Sequence, residues 1–199
     1  MQVGKPFRFH TPSSILVVGP SGCGKTVFTE KLLLENKDLF ETPPTQVHYC
    51  YGAWQDRFQP MQDRGVVFQE GIPDHSALVQ WFPKGQGVLV LDDLMDEGSH
   101  DKRVLELFTK HSHHQNVTVI YLCQDMLPVG KYAKSISRNT HYIVAFKNPR
   151  DQLGVRNVLL QSFPPPGKTV WTPFIMPRPV LMGIWSWICT RGHLINNGC

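Results

Sequence analysis

The chain alternates short apolar runs with longer segments in which apolar positions recur at helical spacing. The clearest runs predict strands at 15–18, 46–51, 88–91, 117–123 and 141–146. A short strand is predicted near 7–10 and a weaker one at 65–69. Helices are predicted at 25–36, 74–82, 101–111, 131–137 and 150–161. Strands that alternate with helices predict an α/β fold: a mostly parallel, doubly wound sheet with helices on both faces.

Composition fits this interpretation. The 199 residues are enough for one α/β domain, and 41% hydrophobic with 18% charged residues excludes wholesale disorder. A net charge of +4 is compatible with a polyanionic partner but does not by itself indicate one. The five cysteines are scattered and never form a Cys-x-x-Cys pair, which is typical of reduced intracellular thiols. No signal peptide and no membrane-spanning run is present, so we expect a soluble intracellular protein.

One segment carries a specific chemical signal. It matches every required position of the phosphate-binding motif G-x-x-x-x-G-K-[ST], and it reads Gly19-Pro20-Ser21-Gly22-Cys23-Gly24-Lys25-Thr26. A predicted strand precedes it and a predicted helix follows it, so backbone N–H groups and a helix N-terminus would face an anion. The Lys25 side chain would reach the β- and γ-phosphates, and the Thr26 hydroxyl would ligate Mg²⁺. All eight residues are therefore predicted to hold a nucleoside triphosphate.

An acidic pair follows the apolar strand 88–91. Asp92 is placed at the sheet edge, where a carboxylate can hold Mg²⁺, and Asp93 is placed to orient or deprotonate an attacking water. Glu97 is a competing candidate for the base. The pair could instead cap the next element, which is a common role for aspartate.

A polar residue also follows strand 117–123. The direction of that strand delivers Gln124 to the same sheet edge, where its amide could contact the γ-phosphate or the water. A solvated glutamine at a strand end is the alternative. Three aromatic residues, Tyr51, Trp54 and Phe58, either pack in the core or stack on bases or a neighbouring subunit.

Four strings point to one group of proteins. Gly-Pro-Ser-Gly-Cys-Gly-Lys-Thr and Leu-Val-Leu-Asp-Asp-Leu-Met are shared with many ATPases, whereas His-Ser-His-His…Gln and Phe-Lys-Asn-Pro-Arg-Asp are more distinctive. Together they resemble the viral DNA-packaging ATPases of the HerA/FtsK superfamily, which occur in Polinton (Maverick) elements, virophages and, more distantly, poxviruses. The resemblance runs from about Ser13 to Phe163.

The resemblance implies a function and partners. It implies a motor that hydrolyses ATP to ADP and phosphate with Mg²⁺ and moves double-stranded DNA into a capsid as a ring of identical subunits. Capsid proteins would be further partners, no membrane would be required, and the site of action would be the host nucleus or a cytoplasmic virus factory. It supports the roles given above and makes Gln124 the sensor. The alternatives are a chromosome-handling translocase, a nucleotide-dependent switch or kinase, and a catalytically impaired relic of a mobile element.

A ring ATPase usually also needs a cation from the neighbouring subunit, because charge develops on the transferred phosphoryl group. The candidates are Arg103, Arg138 and Arg150, and each could equally be a solvated surface arginine. Arg150 is favoured as the catalytic arginine because it heads a predicted helix just after a strand.

The chain changes character after Phe163. Three prolines at 164–166 lead into a segment without assignable periodicity, so we divide the chain into a P-loop ATPase domain at 1–163 and an irregular tail at 164–199. The packaging ATPases that it resembles usually end in Pro-Tyr-Gly-Tyr-Leu and a further strand. When residues 170–189 are translated back into possible codons and read in the frame that starts at each third base, the shifted frame can encode that ending. This predicts a frameshift between 163 and 170, with an unrelated tail as the alternative.

Overall fold

A computed structural model describes residues 7–94, 100–111, 115–125, 130–148, 153–154, 156–157 and 186–190. The strands are β1 (Ser14–Val18), β2 (Gln46–Tyr51), β3 (Val67–Glu70), β4 (Gly87–Asp92), β5 (Val117–Cys123), β6 (Tyr142–Phe146) and β7 (Ser186–Thr190). The α-helices are α1 (Lys25–Leu34), α2 (Asn36–Leu39), α3 (Gln59–Gln62), α4 (His75–Trp81), α5 (Lys102–Glu106) and α6 (Ala133–Arg138). A 3₁₀ turn precedes α3 at Asp56–Phe58, and a π-helical turn continues α5 at Leu107–His111.

The strands form one seven-stranded sheet in the order β3-β2-β4-β5-β1-β6-β7. All neighbours are parallel except β6 and β7, which pair antiparallel. Because β5 lies between β1 and β4, the carboxyl ends of these three strands meet at one edge of the sheet. This strand order places the predicted phosphate-binding loop, which follows β1, beside the end of β5.

Apolar side chains cover both faces of the sheet. On one face the core contains residues from α4, α5 and α6, such as Leu78, Val104 and Ile136. On the other face the core contains Phe28 and Leu32 of α1 together with the aromatic residues around α3. Adjacent residues of β1 point to opposite faces, as the pleat requires. The predicted fold, a mostly parallel and doubly wound α/β sheet, is confirmed.

Several predicted boundaries shift in the structure. The predicted strand near 7–10 is only an isolated bridge between Phe9 and Phe40. The predicted helix 25–36 ends at Leu34, and a separate short helix follows. The predicted helix 101–111 widens after α5, where the Thr109 hydroxyl donates to the carbonyl oxygen of Leu105 at 2.9 Å. Most of the predicted helix 150–161 lies outside the described residues.

The tail contributes one described element. The five residues of β7 form a strand against β6, whereas the sequence predicts irregular structure there. The other residues of 164–199 lie outside the part that the structure describes. The division of the chain at 163 therefore stays a prediction. Within the described residues, no helix is both long and apolar enough to cross a membrane.

His48 is a buried titratable side chain away from the sheet edge. It is 6% exposed, stacks on Trp81 with ring centroids 4.5 Å apart, and meets the ring of Phe82 at 5.0 Å. Burial lowers the pKa of His48, and its Nδ1 has no hydrogen-bond partner among the described residues. Burial therefore favours the neutral imidazole in the folded protein.

This burial predicts a loss of stability in acid. Because the pKa of His48 is lower when folded than when unfolded, its contribution is present above the unfolded value of about 6.5 and is lost as the pH falls through the folded value. We expect the free energy of unfolding, measured with urea, to fall between about pH 7.5 and pH 5. His48→Phe, which keeps the stack, should reduce this fall, whereas His75→Gln at an exposed position should not. An equal pH dependence in His48→Phe would assign the effect to other groups.

Candidate nucleotide-binding site

A cavity of about 330 Å³ opens at the edge where β1, β4 and β5 end. Its lining includes the side chains that the sequence singles out: Lys25, Thr26, Asp92, Asp93 and Gln124. Parallel strands bring these residues together although they are up to about a hundred positions apart in the chain. Clefts of this size and position commonly bind small ligands.

The loop between β1 and α1 has the backbone that its glycines permit. Gly22 and Gly24 have φ values of 74° and 100°, a region that other residues rarely adopt, and Gly24 caps the start of α1. Gly19 is needed for a different reason, since a Cβ there would clash with Phe146 and with the Cys23 thiol. The Gly19 amide donates to the Cys123 carbonyl oxygen at 3.1 Å, which ties the loop to the end of β5.

Lys25 lies over the loop that precedes it. Its ammonium donates to the carbonyl oxygens of Gly19, at 2.5 Å, and of Pro20, at 3.1 Å. The lysine starts α1, so its charge stands beside the unpaired N–H groups of the helix N-terminus. Cation and helix end together form a region of positive potential suited to an anion.

Asp92 ends β4 and is 6% exposed. Its Oδ2 accepts hydrogen bonds from the Tyr49 hydroxyl at 2.6 Å and from the Thr26 hydroxyl at 3.3 Å. Burial raises the pKa of Asp92 above its ordinary value, and these two hydrogen bonds partly offset that rise. Burial and the nearby Asp92 charge raise the pKa of Tyr49 well above its usual range, so this phenol stays protonated and donates.

The pair of oxygen donors fits a magnesium ion. The Thr26 hydroxyl and the Asp92 carboxylate meet within hydrogen-bond distance at the cavity, and Mg²⁺ prefers such hard oxygen ligands with water and phosphate completing the shell. The described residues contain no group of three or more His, Cys, Asp or Glu side chains suited to a metal ion. A magnesium ion held by Thr26 and Asp92 together with a bound phosphate agrees with both observations.

Asp93 and Gln124 are exposed residues on the cavity wall. Asp93 comes directly after β4 and has a φ of 55°. Aspartate and asparagine tolerate this left-handed backbone better than most residues. Gln124 follows directly on β5, as predicted. Glu97, the competing base candidate, lies outside the described residues.

Of the three candidate arginines, the two that the structure describes, Arg103 and Arg138, are not among the residues that line this cavity. Arg103 donates to Asp101, at distances down to 2.6 Å, and to the carbonyl oxygen of Ile72. Arg138 is exposed at the end of α6. Arg150 lies outside the described residues, so its predicted catalytic role stays a prediction. A cation that acts on a neighbouring subunit need not lie near its own cavity.

The sequence reasoning missed three residues of the site. Tyr49 orients Asp92, and Gln55 and Arg57 line the cavity from the segment after β2. The only sequence signal was their nearness to the predicted end of β2 at 46–51. These residues can be identified only when the strand order is known, because β2 pairs with β4 although about forty residues separate the two strands in the chain.

Gly52 makes the segment after β2 sensitive to substitution. Its amide donates to the Asp92 carbonyl oxygen at 3.1 Å, and a Cβ at this position would clash with the Asp93 carbonyl oxygen. We expect Gly52→Ala to destabilise the fold by about 1–3 kcal/mol, because a backbone must move to make room. Urea unfolding measures this, with exposed Ala53→Ser as the control. Unchanged stability would show that the segment can move away from β4 at little cost.

The sheet and its loop define the P-loop NTPase fold, and solved structures agree. The genome packaging NTPase B204 of Sulfolobus turreted icosahedral virus 2, in complex with ATP-gammaS, has a TM-score of 0.54 at 12% identity, over 74% of this chain and 82% of that chain. Its sulfate complex has a TM-score of 0.50 at 12% identity, with 74% and 80% covered. The cytoplasmic domain of EssC has a TM-score of 0.51 at 12% identity, over 94% of this chain and 41% of that chain.

These identities establish the fold and nothing finer. Neither a protein-family model nor a curated protein matches the chain. The chain shares with these structures a P-loop NTPase architecture, and the loop described above occupies the position that this architecture uses for phosphate.

Proposed function

We propose that this protein is an Mg²⁺-dependent ATPase that moves double-stranded DNA into a viral or virus-like capsid as a ring of identical subunits. The observation that carries the ATPase part is the cavity where Lys25, Thr26, Asp92, Asp93 and Gln124 meet. The DNA-packaging part is supported by the resemblance of 107–124 and 141–151 to packaging ATPases and by a fold like that of a genome packaging NTPase.

Each cavity residue has a proposed task. The loop amides and Lys25 bind the β- and γ-phosphates, because they are the positive groups at the start of α1. Thr26 and Asp92 hold Mg²⁺, which supplies charge neutralisation on the phosphate oxygens when bound. Tyr49 keeps the Asp92 carboxylate in place through its hydroxyl.

The remaining residues act on water and on the state of the nucleotide. Asp93, exposed beside Asp92, orients the attacking water and accepts its proton. Gln124 contacts the γ-phosphate or that water and thereby senses hydrolysis. Arg150 of a neighbouring subunit stabilises the charge that develops in the transition state.

The test is ATPase activity with and without DNA. We expect the rate of phosphate release with Mg²⁺ to rise several-fold when duplex DNA of several hundred base pairs is added. Lys25→Ala should abolish phosphate release both with and without DNA. Hydrolysis that duplex DNA does not change would support a switch or kinase. Binding without hydrolysis would support the impaired relic. Failure of the wild type to bind any nucleoside triphosphate would overturn the proposal.

Two further arms separate packaging from chromosome handling. Packaging predicts that the protein binds capsid proteins encoded near its gene and that infected or element-carrying cells contain it at assembly sites in the nucleus or cytoplasm. A translocase of chromosome handling should bind chromosomal DNA throughout the cell and no capsid protein.

We also propose that 1–163 is the ATPase domain and that the reading frame shifts between 163 and 170. Sequencing the gene tests this directly. A second frame that encodes Pro-Tyr-Gly-Tyr-Leu opposite 170–189 would support the shift, and a second frame without that string would overturn it.

A further inference from the structure

Among the described residues, two cationic side chains line the cavity. Lys25 belongs to the phosphate-binding loop, whereas Arg57 belongs to the 3₁₀ turn that follows β2. Gln55 of the same segment also lines the cavity. The segment after β2 therefore brings a guanidinium and an amide to the same cavity as the loop.

The backbone that carries Arg57 is anchored on both sides. Upstream, the Gly52 amide is bonded to the Asp92 carbonyl oxygen at 3.1 Å. Downstream, Phe58 is 0% exposed, with its ring 5.0 Å from those of Tyr49 and Phe68. Tyr49 is also the side chain that orients Asp92. One packed aromatic group thus fixes Arg57 relative to the acidic end of β4, while the arginine side chain remains at the surface.

The present partner of Arg57 is a weak one. Its Nη2 lies 3.4 Å from Oε2 of Glu30, and the two side chains are 39% and 24% exposed. Partly exposed ion pairs at such distances contribute little to stability, so a stronger anion can replace the glutamate. Glu30 lies on α1 four residues after Thr26, which places this ion pair one helical turn from the proposed magnesium ligand.

We propose that Arg57 binds the terminal phosphate of the nucleoside triphosphate bound in its own chain, exchanging Glu30 for that phosphate. This inference rests on the proposed function, because it requires the cavity to hold a triphosphate. A guanidinium presents paired N–H donors that match two phosphate oxygens, and a diphosphate lacks the group that would attract it. Arg57 would then distinguish the triphosphate from the diphosphate, with Glu30 reclaiming it after hydrolysis.

The alternative is a purely structural ion pair that holds the 3₁₀ turn to α1. The two explanations differ in the effect of Glu30. If Arg57 binds phosphate, removing the Glu30 charge frees the guanidinium and favours triphosphate binding. If the pair is structural, Glu30→Gln and Arg57→Ala break the same contact and have the same effect.

The experiment measures equilibrium affinities for a fluorescent ADP and a fluorescent, non-hydrolysable ATP analogue with Mg²⁺. We expect Arg57→Ala to weaken binding of the triphosphate analogue by about tenfold or more and that of ADP by less than about twofold. Arg57→Lys should recover part of the lost triphosphate affinity, because lysine keeps the positive charge but lacks the paired N–H donors of the guanidinium. Glu30→Gln should bind the triphosphate at least as tightly as the wild type. Arg64→Ala, which removes an exposed arginine that does not line the cavity, is the matched control.

Three results would overturn the inference. They are equal affinities in Arg57→Ala and the wild type, equal weakening for ADP and the triphosphate, and parallel losses in Arg57→Ala and Glu30→Gln. Each is distinguishable from failure of the proposed function. If the proposed function fails, the wild type binds neither nucleotide. If only the inference about Arg57 fails, the wild type binds both nucleotides and Lys25→Ala weakens the binding of both.

Discussion

Lys25→Ala should weaken ATP binding by about a hundredfold and abolish measurable hydrolysis. The substitution removes the cation that begins α1, and hydrogen bonds to a charged group contribute about 1.5–3 kcal/mol each. Arg57 cannot replace it, because it belongs to a different segment, the 3₁₀ turn after β2. Binding of a fluorescent ATP analogue and release of phosphate measure the two effects.

The control for this prediction is Lys37→Ala. Lys37 lies exposed on α2, so its removal changes the net charge equally without touching the cavity. Thermal unfolding of both variants shows whether loss of the bonds to Gly19 and Pro20 disturbs the loop. Wild-type binding and turnover in Lys25→Ala would overturn the assignment of the site.

Asp93→Asn should keep nucleotide affinity and lower the hydrolysis rate by about 10²–10⁴-fold. An amide cannot accept the proton of the attacking water, and general-base catalysis contributes about this factor. The fold should tolerate the change, since asparagine adopts the left-handed backbone with φ of 55° that this position requires. The contacts of Asp92 with Tyr49 and Thr26 do not involve the Asp93 side chain, so the proposed magnesium site should survive.

Single-turnover hydrolysis and equilibrium binding test this prediction separately. Asp38→Asn, at an exposed position on α2, is the control for the loss of one carboxylate. Glu97→Gln is the competing variant. If Glu97→Gln abolished hydrolysis while Asp93→Asn remained active, the base would lie four residues further along the chain.

The sequence predicted the position of a residue best where the signal is local. The loop 19–26 is contiguous, and its glycines determine its backbone, so one short segment predicts an anion site. Asp92 and Gln124 could be placed because each directly follows an apolar run, and Asp93 because it comes next to Asp92. Parallel strands deliver their ends to one edge of the sheet. The arginine prediction has a weaker basis, since a solvated arginine and a catalytic one have the same local pattern.

The amino-acid sequence by itself therefore determined the alternation of strands and helices, the fold class and the phosphate-binding loop, because hydrophobic periodicity and glycine content act over a few residues. Only the tertiary structure decided that Tyr49 bonds to Asp92 and that Arg57 lines the same cavity as Lys25. Those contacts depend on which strands become neighbours and on the packing of Phe58 against Tyr49. Strand order is set by the burial of whole faces of the sheet, a property that no short segment carries.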